Sequence, residues 1–182
     1  MTDEPKDQPR TSPLFGLNSE QPTQPLTPEP STASGPTPPP CIIPLKEAEV
    51  EELVPSLSFL IVDDVRASCD VLSSLLRAIG ANPAKLFAAT TLFGATNLAR
   101  SHHIDVVISD LHLRVGTGLD LLEALRTSSL NPHASFMLVT NDPAADEIKR
   151  AQRMGVTAVI VKPISVSSLV EHLAFCLSRQ TR

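Results

Sequence analysis

From Leu57 onward, short apolar runs alternate with longer stretches in which apolar residues recur three and four positions apart. Apolar runs of this length, bounded sharply by polar residues, read as strands buried on both faces of a parallel sheet. The longer stretches read as helices that cover it. The pattern predicts strands over 58–62, 85–88, 106–109, 136–139 and 158–161, and helices over 66–79, 92–101, 118–128, 144–154 and 166–178. In the first helix Val71, Leu72, Leu75, Leu76 and Ile79 recur at helical spacing, and Gly80 is a natural stop. Pro143 sits where a helix can begin, since a missing N–H costs nothing in the first turn, and Gly155 closes that helix. Five βα units in succession imply one doubly wound α/β domain, a five-stranded parallel sheet with helices on both faces.

Before Leu57 the pattern is lost. Of the 17 prolines, 13 lie in residues 1–55, and residues 1–40 are rich in Pro, Ser, Thr and Gln. Such a composition buries too little apolar surface to offset ordering entropy, so disorder is expected there. Residues 46–54 (Lys-Glu-Ala-Glu-Val-Glu-Glu-Leu-Val) can form a helical turn, but Pro55 stops it, and the segment reads as linker. The expected organisation is therefore a proline-rich acidic tail and linker over 1–55 and one folded domain over 56–182, with no second domain after the last helix. Pro-x-x-Pro spacings such as Pro22 to Pro25 arise by chance in so proline-rich a tract.

Charge divides the same way. Residues 1–55 carry 3 Lys/Arg against 9 Asp/Glu, and residues 56–182 carry 12 against 11. Neither part is basic enough to suggest a nucleic-acid surface. Cys41, Cys69 and Cys176 form no Cys-x-x-Cys pair and read as small apolar fillers in a reducing compartment. There is no apolar leader at the N-terminus and no run of about 20 apolar residues that would span a membrane. A cytoplasmic protein without membrane or nucleic-acid partners is expected.

The candidate chemistry lies where the predicted strands end. Asp63 and Asp64 follow the first, Asp110 the third, Thr140 the fourth, and Lys162-Pro163 the fifth. Open α/β sheets place their sites at the carboxyl ends of strands. Adjacent carboxylates repel one another and are costly to desolvate, so a cation is needed among them. Mg²⁺ prefers oxygen ligands and is satisfied by one or two carboxylates, waters and a phosphate oxygen. Asp110, between the acidic pair and Lys162, is placed as a nucleophile toward a phosphoryl donor, with the Lys162 ammonium and the Thr140 hydroxyl for the phosphoryl oxygens.

On these marks, together with Gly118 eight residues after Asp110, residues 57 to about 179 resemble the receiver domain of bacterial two-component response regulators, of the single-domain chemotaxis type. The resemblance implies a flavodoxin-like (βα)5 fold with strand order 2-1-3-4-5. It implies that Asp110 is the phosphoacceptor, supplied by a sensor histidine kinase or a phosphotransfer protein. It further implies Mg²⁺ held by Asp63, Asp64, Asp110 and the backbone carbonyl of His112. Thr140 and Lys162 then contact the phosphoryl group, and the Lys162-Pro163 bond is cis.

Three positions depart from the family pattern. Asn141 stands where a small residue is usual and can crowd the route to Asp110. Arg114 replaces a frequent proline four residues after the acceptor. Val159 replaces the aromatic that rotates on activation, and a short β-branched side chain cannot swing between two poses. This puts the readout in question and leaves phosphorylation untouched.

Other features carry less. His102 and His103 fall at a helix end, where imidazoles satisfy terminal carbonyls. His112 adjoins the site, while His133 and His172 invite no functional reading. Gly116-Thr117-Gly118 lacks the further residues of a nucleotide loop and reads as a turn, and Thr140 can also cap the following helix. The expected function is a non-enzymatic phosphorelay receiver with no fused output domain, a switch or a phosphate shuttle acting on an unidentified downstream protein. The rival is a receiver-like interaction module independent of phosphorylation. A phosphohydrolase is disfavoured because His112, not a second Asp, stands two residues after Asp110.

Overall fold

The computed structural model describes residues 45–180, so residues 1–44 of the tail and linker expected over 1–55 lie outside the described residues. Five strands, β1 (Phe59–Val62), β2 (Leu86–Ala89), β3 (Val106–Asp110), β4 (Ser135–Thr140) and β5 (Ala158–Val161), form one sheet. Every pairing is parallel, in the order β2-β1-β3-β4-β5. Among the described residues six helices accompany them: α1 (Glu47–Leu53), α2 (Arg66–Ala78), α3 (Leu92–Ser101), α4 (Gly118–Thr127), α5 (Ala145–Arg153) and α6 (Val166–Gln180).

Successive strand residues point to opposite faces, and this alternation divides the core in two. Phe59 and Ile61 of β1 face a cluster completed by Leu72 and Leu76 of α2 and Leu169 and Leu173 of α6. Leu60 and Val62 face a second cluster with Ala95 of α3, Leu121 and Leu122 of α4, and Phe136 and Leu138 of β4. All four β1 residues are buried, as are the first four of β3 and all six of β4. That is why these strands read as continuous apolar runs.

The segment expected to be a linker, 46–54, is instead helix α1, and it belongs to the fold. Val50 and Val54, four residues apart, are both fully buried in the α2/α6 cluster, and Leu45 packs against it. Four glutamates among nine residues hid this pair in the sequence, while Pro55 only converts the exit into a 3-10 turn. The helix of the β4–β5 crossover also differs slightly from the expected bounds. Ala144 is its N-cap and Pro143 lies just outside it.

Candidate functional site

Register, more than proximity in sequence, assembles the site. Val62 pairs with Ser109, Asp110 with Val139, and Thr140 with Val161. The next residue on each strand therefore reaches a common rim, bringing Asp63 level with Asp110 and placing Lys162 one step beyond Thr140. Two ladder bonds continue past the strands, from the Leu111 N–H to the Val139 carbonyl (2.8 Å) and from the Lys162 N–H to the Thr140 carbonyl (2.9 Å).

Lys162 extends its ammonium to both sides of the acidic cluster, 3.1 Å from Asp63 Oδ2 and 3.0 Å from Asp110 Oδ2. One carboxylate oxygen from each of Asp63, Asp64 and Asp110 lies within 4.8 Å of the others. Asp63 is almost wholly buried, and its burial is offset by the Val65 N–H (2.9 Å to Oδ1) as well as by Lys162. The Cys69 thiol adds a contact to the Asp63 carbonyl. Burial pulls the Lys162 ammonium downward, but hydrogen bonds to Asp110 and Asp63 and the charges of both outweigh it, so its pKa stands above the ordinary lysine value. The group remains cationic under all ordinary conditions.

Three oxygen donors converging on one point, with a single ammonium shared between two of them, suit a hard divalent cation. The donor set therefore fits Mg²⁺. Thr140 is buried at the end of β4. Its hydroxyl donates to the Asp142 carbonyl (3.0 Å) and accepts from the Asp142 N–H (3.2 Å), so it is turned toward its own loop. It does not cap α5, whose N-cap has no side-chain bond.

The loop after β3 closes on itself. An antiparallel bridge joins His112 to Thr117, and Gly116 adopts φ +81° in the turn. Thr117 then caps α4, accepting from the Asp120 N–H while the Asp120 carboxylate accepts the Thr117 N–H. This makes Gly116-Thr117-Gly118 a turn and cap. Gly118 has a steric reason to be glycine: a Cβ there would lie 2.5 Å from the Asp110 carbonyl oxygen and 2.7 Å from Leu138. α4 therefore starts directly against the end of β3. The Lys162–Pro163 peptide bond is cis.

Sequence reasoning missed two contacts, Arg114 Nε with Asp64 Oδ2 (3.8 Å) and His112 Nε2 with Glu147 Oε2 (3.8 Å). Spacing offers no signal for either, because both depend on how loops fold over the rim. His102 Nδ1 meets the Leu98 carbonyl at a helix end (3.2 Å), and His103 pairs with Asp105, both away from the acidic cluster.

A doubly wound flavodoxin-like domain with an acidic cluster and a lysine at its carboxyl rim defines a narrow class of signalling module. The model of the response regulator receiver domain matches residues 59–174, and the chain belongs to that family. It is 31% identical over 118 residues to the chemotaxis protein CheY of Pseudomonas aeruginosa, covering 64% of this chain and 93% of that protein. Chemotaxis protein CheY4 of Vibrio cholerae, a solved structure, is 25% identical with a TM-score of 0.60, covering 64% of this chain and 95% of the other. A response regulator of Burkholderia pseudomallei, solved with a phosphorylated aspartic acid, calcium ion and citrate, is 25% identical with a TM-score of 0.59 and covers 69% of this chain and 71% of that one. Membership makes the chain a module of phosphorelay signalling. No helix among the described residues is long and apolar enough to cross a membrane.

Proposed function

We propose that Asp110 is the phosphoacceptor of a phosphorelay, supplied by a phosphohistidine of a sensor kinase or phosphotransfer protein in the cytoplasm. The observation that carries this reading is the Lys162 ammonium lying 3.0 Å from Asp110 and 3.1 Å from Asp63, with Asp64 completing the cluster. In the transfer, an Asp110 carboxylate oxygen forms a P–O bond while the donor's P–N bond breaks. Lys162 neutralises charge on the phosphoryl oxygens, and Thr140 turns from Asp142 to donate to one of them. Asp63, Asp64, Asp110 and the His112 carbonyl would hold Mg²⁺, which supplies further neutralising charge.

Phosphorylation replaces the −1 of the Asp110 carboxylate with a charge near −2 spread over the phosphoryl oxygens, which is enough to redraw the contacts of Thr140 and Lys162. The surface built from β4, β5 and the helices that follow them then presents a changed face to a downstream protein. Val159 and the void beside Thr140, only about 10 Å³, favour a second reading in which binding does not depend on phosphate. One experiment separates the two readings. Full-length protein is incubated with Mg²⁺ and acetyl phosphate, and incorporation is followed in wild type and Asp110→Asn. Signal in wild type that vanishes in the variant is expected. Equal signal in both would remove Asp110 as acceptor, and none in either would favour the phosphate-independent module.

A further inference from the structure

The charges at the rim are shared unequally. Lys162 pairs with Asp63 and Asp110, whereas the ion-pair partner of Asp64 is Arg114, at 3.8 Å. Asp64 is also the member of the cluster that faces outward: its side chain is 23% exposed against 2% for Asp63 and 11% for Asp110. A cation arriving from solvent meets the Asp64–Arg114 side first.

Arg114 is held there by the loop that carries it. The His112–Thr117 bridge closes that loop at its base, Leu113 packs into the α3/α4 cluster, and Gly116 supplies the tight turn. The backbone of Arg114 is thus fixed while its side chain, 80% exposed, is free to leave Asp64 at small cost. A guanidinium stays charged at every relevant pH, so its competition with another cation cannot be relieved by deprotonation. Asp64, Leu113, Arg114 and Thr91 also border a groove of about 440 Å³ that gives the displaced side chain room to move.

We propose that Arg114 is a positioning residue that acts as a built-in counter-ion on Asp64 and competes with the divalent cation, setting the affinity of the cluster for it. The inference rests on the cation site of the preceding section. With Arg114 in place the cluster binds a divalent ion more weakly than its three carboxylates alone would. The effect is electrostatic, so it weakens as salt screens the exposed pair.

The test is Mn²⁺ binding to the full chain, read as free Mn²⁺ by electron paramagnetic resonance, with Mg²⁺ competition. Wild type, Arg114→Ala, Arg114→Lys, Asp64→Asn and the double variant Asp64→Asn/Arg114→Ala are compared at low and high ionic strength. The expected result is about threefold tighter binding in Arg114→Ala at low salt, in keeping with the size of exposed ion pairs. Arg114→Lys should stay near wild type, and the gain should shrink at high salt. The gain should also vanish on the Asp64→Asn background, because Arg114 would then have no carboxylate to shield. A merely structural role for Arg114 would move none of these coupled readouts. Equal or weaker binding in Arg114→Ala at low salt, with wild type binding normally, overturns the inference and leaves the cation site standing. Absence of binding in every protein removes the cation site itself, and the inference with it.

Discussion

The part of the domain that bears the acids and the α5–β5 segment are built differently. β1 and β3 lie at the centre of the sheet, and α2 buries Cys69, Leu72 and Leu76 against it. Asp63 and Asp110 therefore project from a backbone with little freedom. In the α5–β5 segment, α5 is a polar helix (Ala-Asp-Glu-Ile-Lys-Arg-Ala-Gln-Arg) whose one fully buried residue is Ala151. β5 is an edge strand with only Ile160 fully buried. The loop between β4 and α5 is exposed, and Thr140 bonds to that loop. A site that must accept a group without shifting benefits from the first construction. An element that must respond to the group benefits from the second, because regions with few buried contacts open at low free-energy cost.

The largest effect expected from this contrast is in the part that bears the acids. Phe59→Ala should cost about 4 kcal/mol in urea unfolding, the usual size for deleting a buried aromatic. Gly118→Ala should cost about 3 kcal/mol, because its Cβ meets Leu138 and, more closely, the Asp110 backbone carbonyl, which cannot turn aside as a side-chain tip can. A cost below about 1 kcal/mol there would mean that α4 can back away from β3. In the α5–β5 segment, Ala151→Gly should cost about 1 kcal/mol through helix propensity and a lost methyl contact. Amide exchange should order the two regions likewise, with α5 exchanging well before α2. Equal protection of the two helices would break the comparison.

A smaller effect concerns Lys162, which bridges the two regions. Its pKa is raised in the folded state, so its stabilising contribution is fully present below the unfolded lysine value and is lost as pH rises through the folded one. Relative to Lys162→Met, measured in chelator, wild type should hold a constant stability difference up to about pH 10 and then lose it. The absence of tyrosine keeps phenolic titration out of that window. A difference that grows with pH would contradict the bridge.

Strands buried on both faces were legible because their apolar runs are uninterrupted, and the cluster of Asp63, Asp64, Asp110 and Lys162 was legible because those residues end or directly follow such runs. α1 was not, since two valines carry its burial within a mostly charged segment. The Arg114–Asp64 and His112–Glu147 pairs were not, since loop closure, invisible to periodicity, brings them together. Gly118 was legible as a family mark, but its reason required the 2.5 Å approach to the Asp110 carbonyl. The hydroxyl of Thr140 was expected toward the phosphoryl position. Its bond to Asp142 reflects a loop that can satisfy it locally, which no strand-end pattern reveals.

The burial of Val50 and Val54 also bears on how the molecule can be cut. The family match starts at Phe59, and a fragment trimmed to that boundary would remove both valines and leave apolar ground on α6 open to water. Such a truncation would be prone to self-association, so the shortest workable piece of this protein begins no later than Leu45.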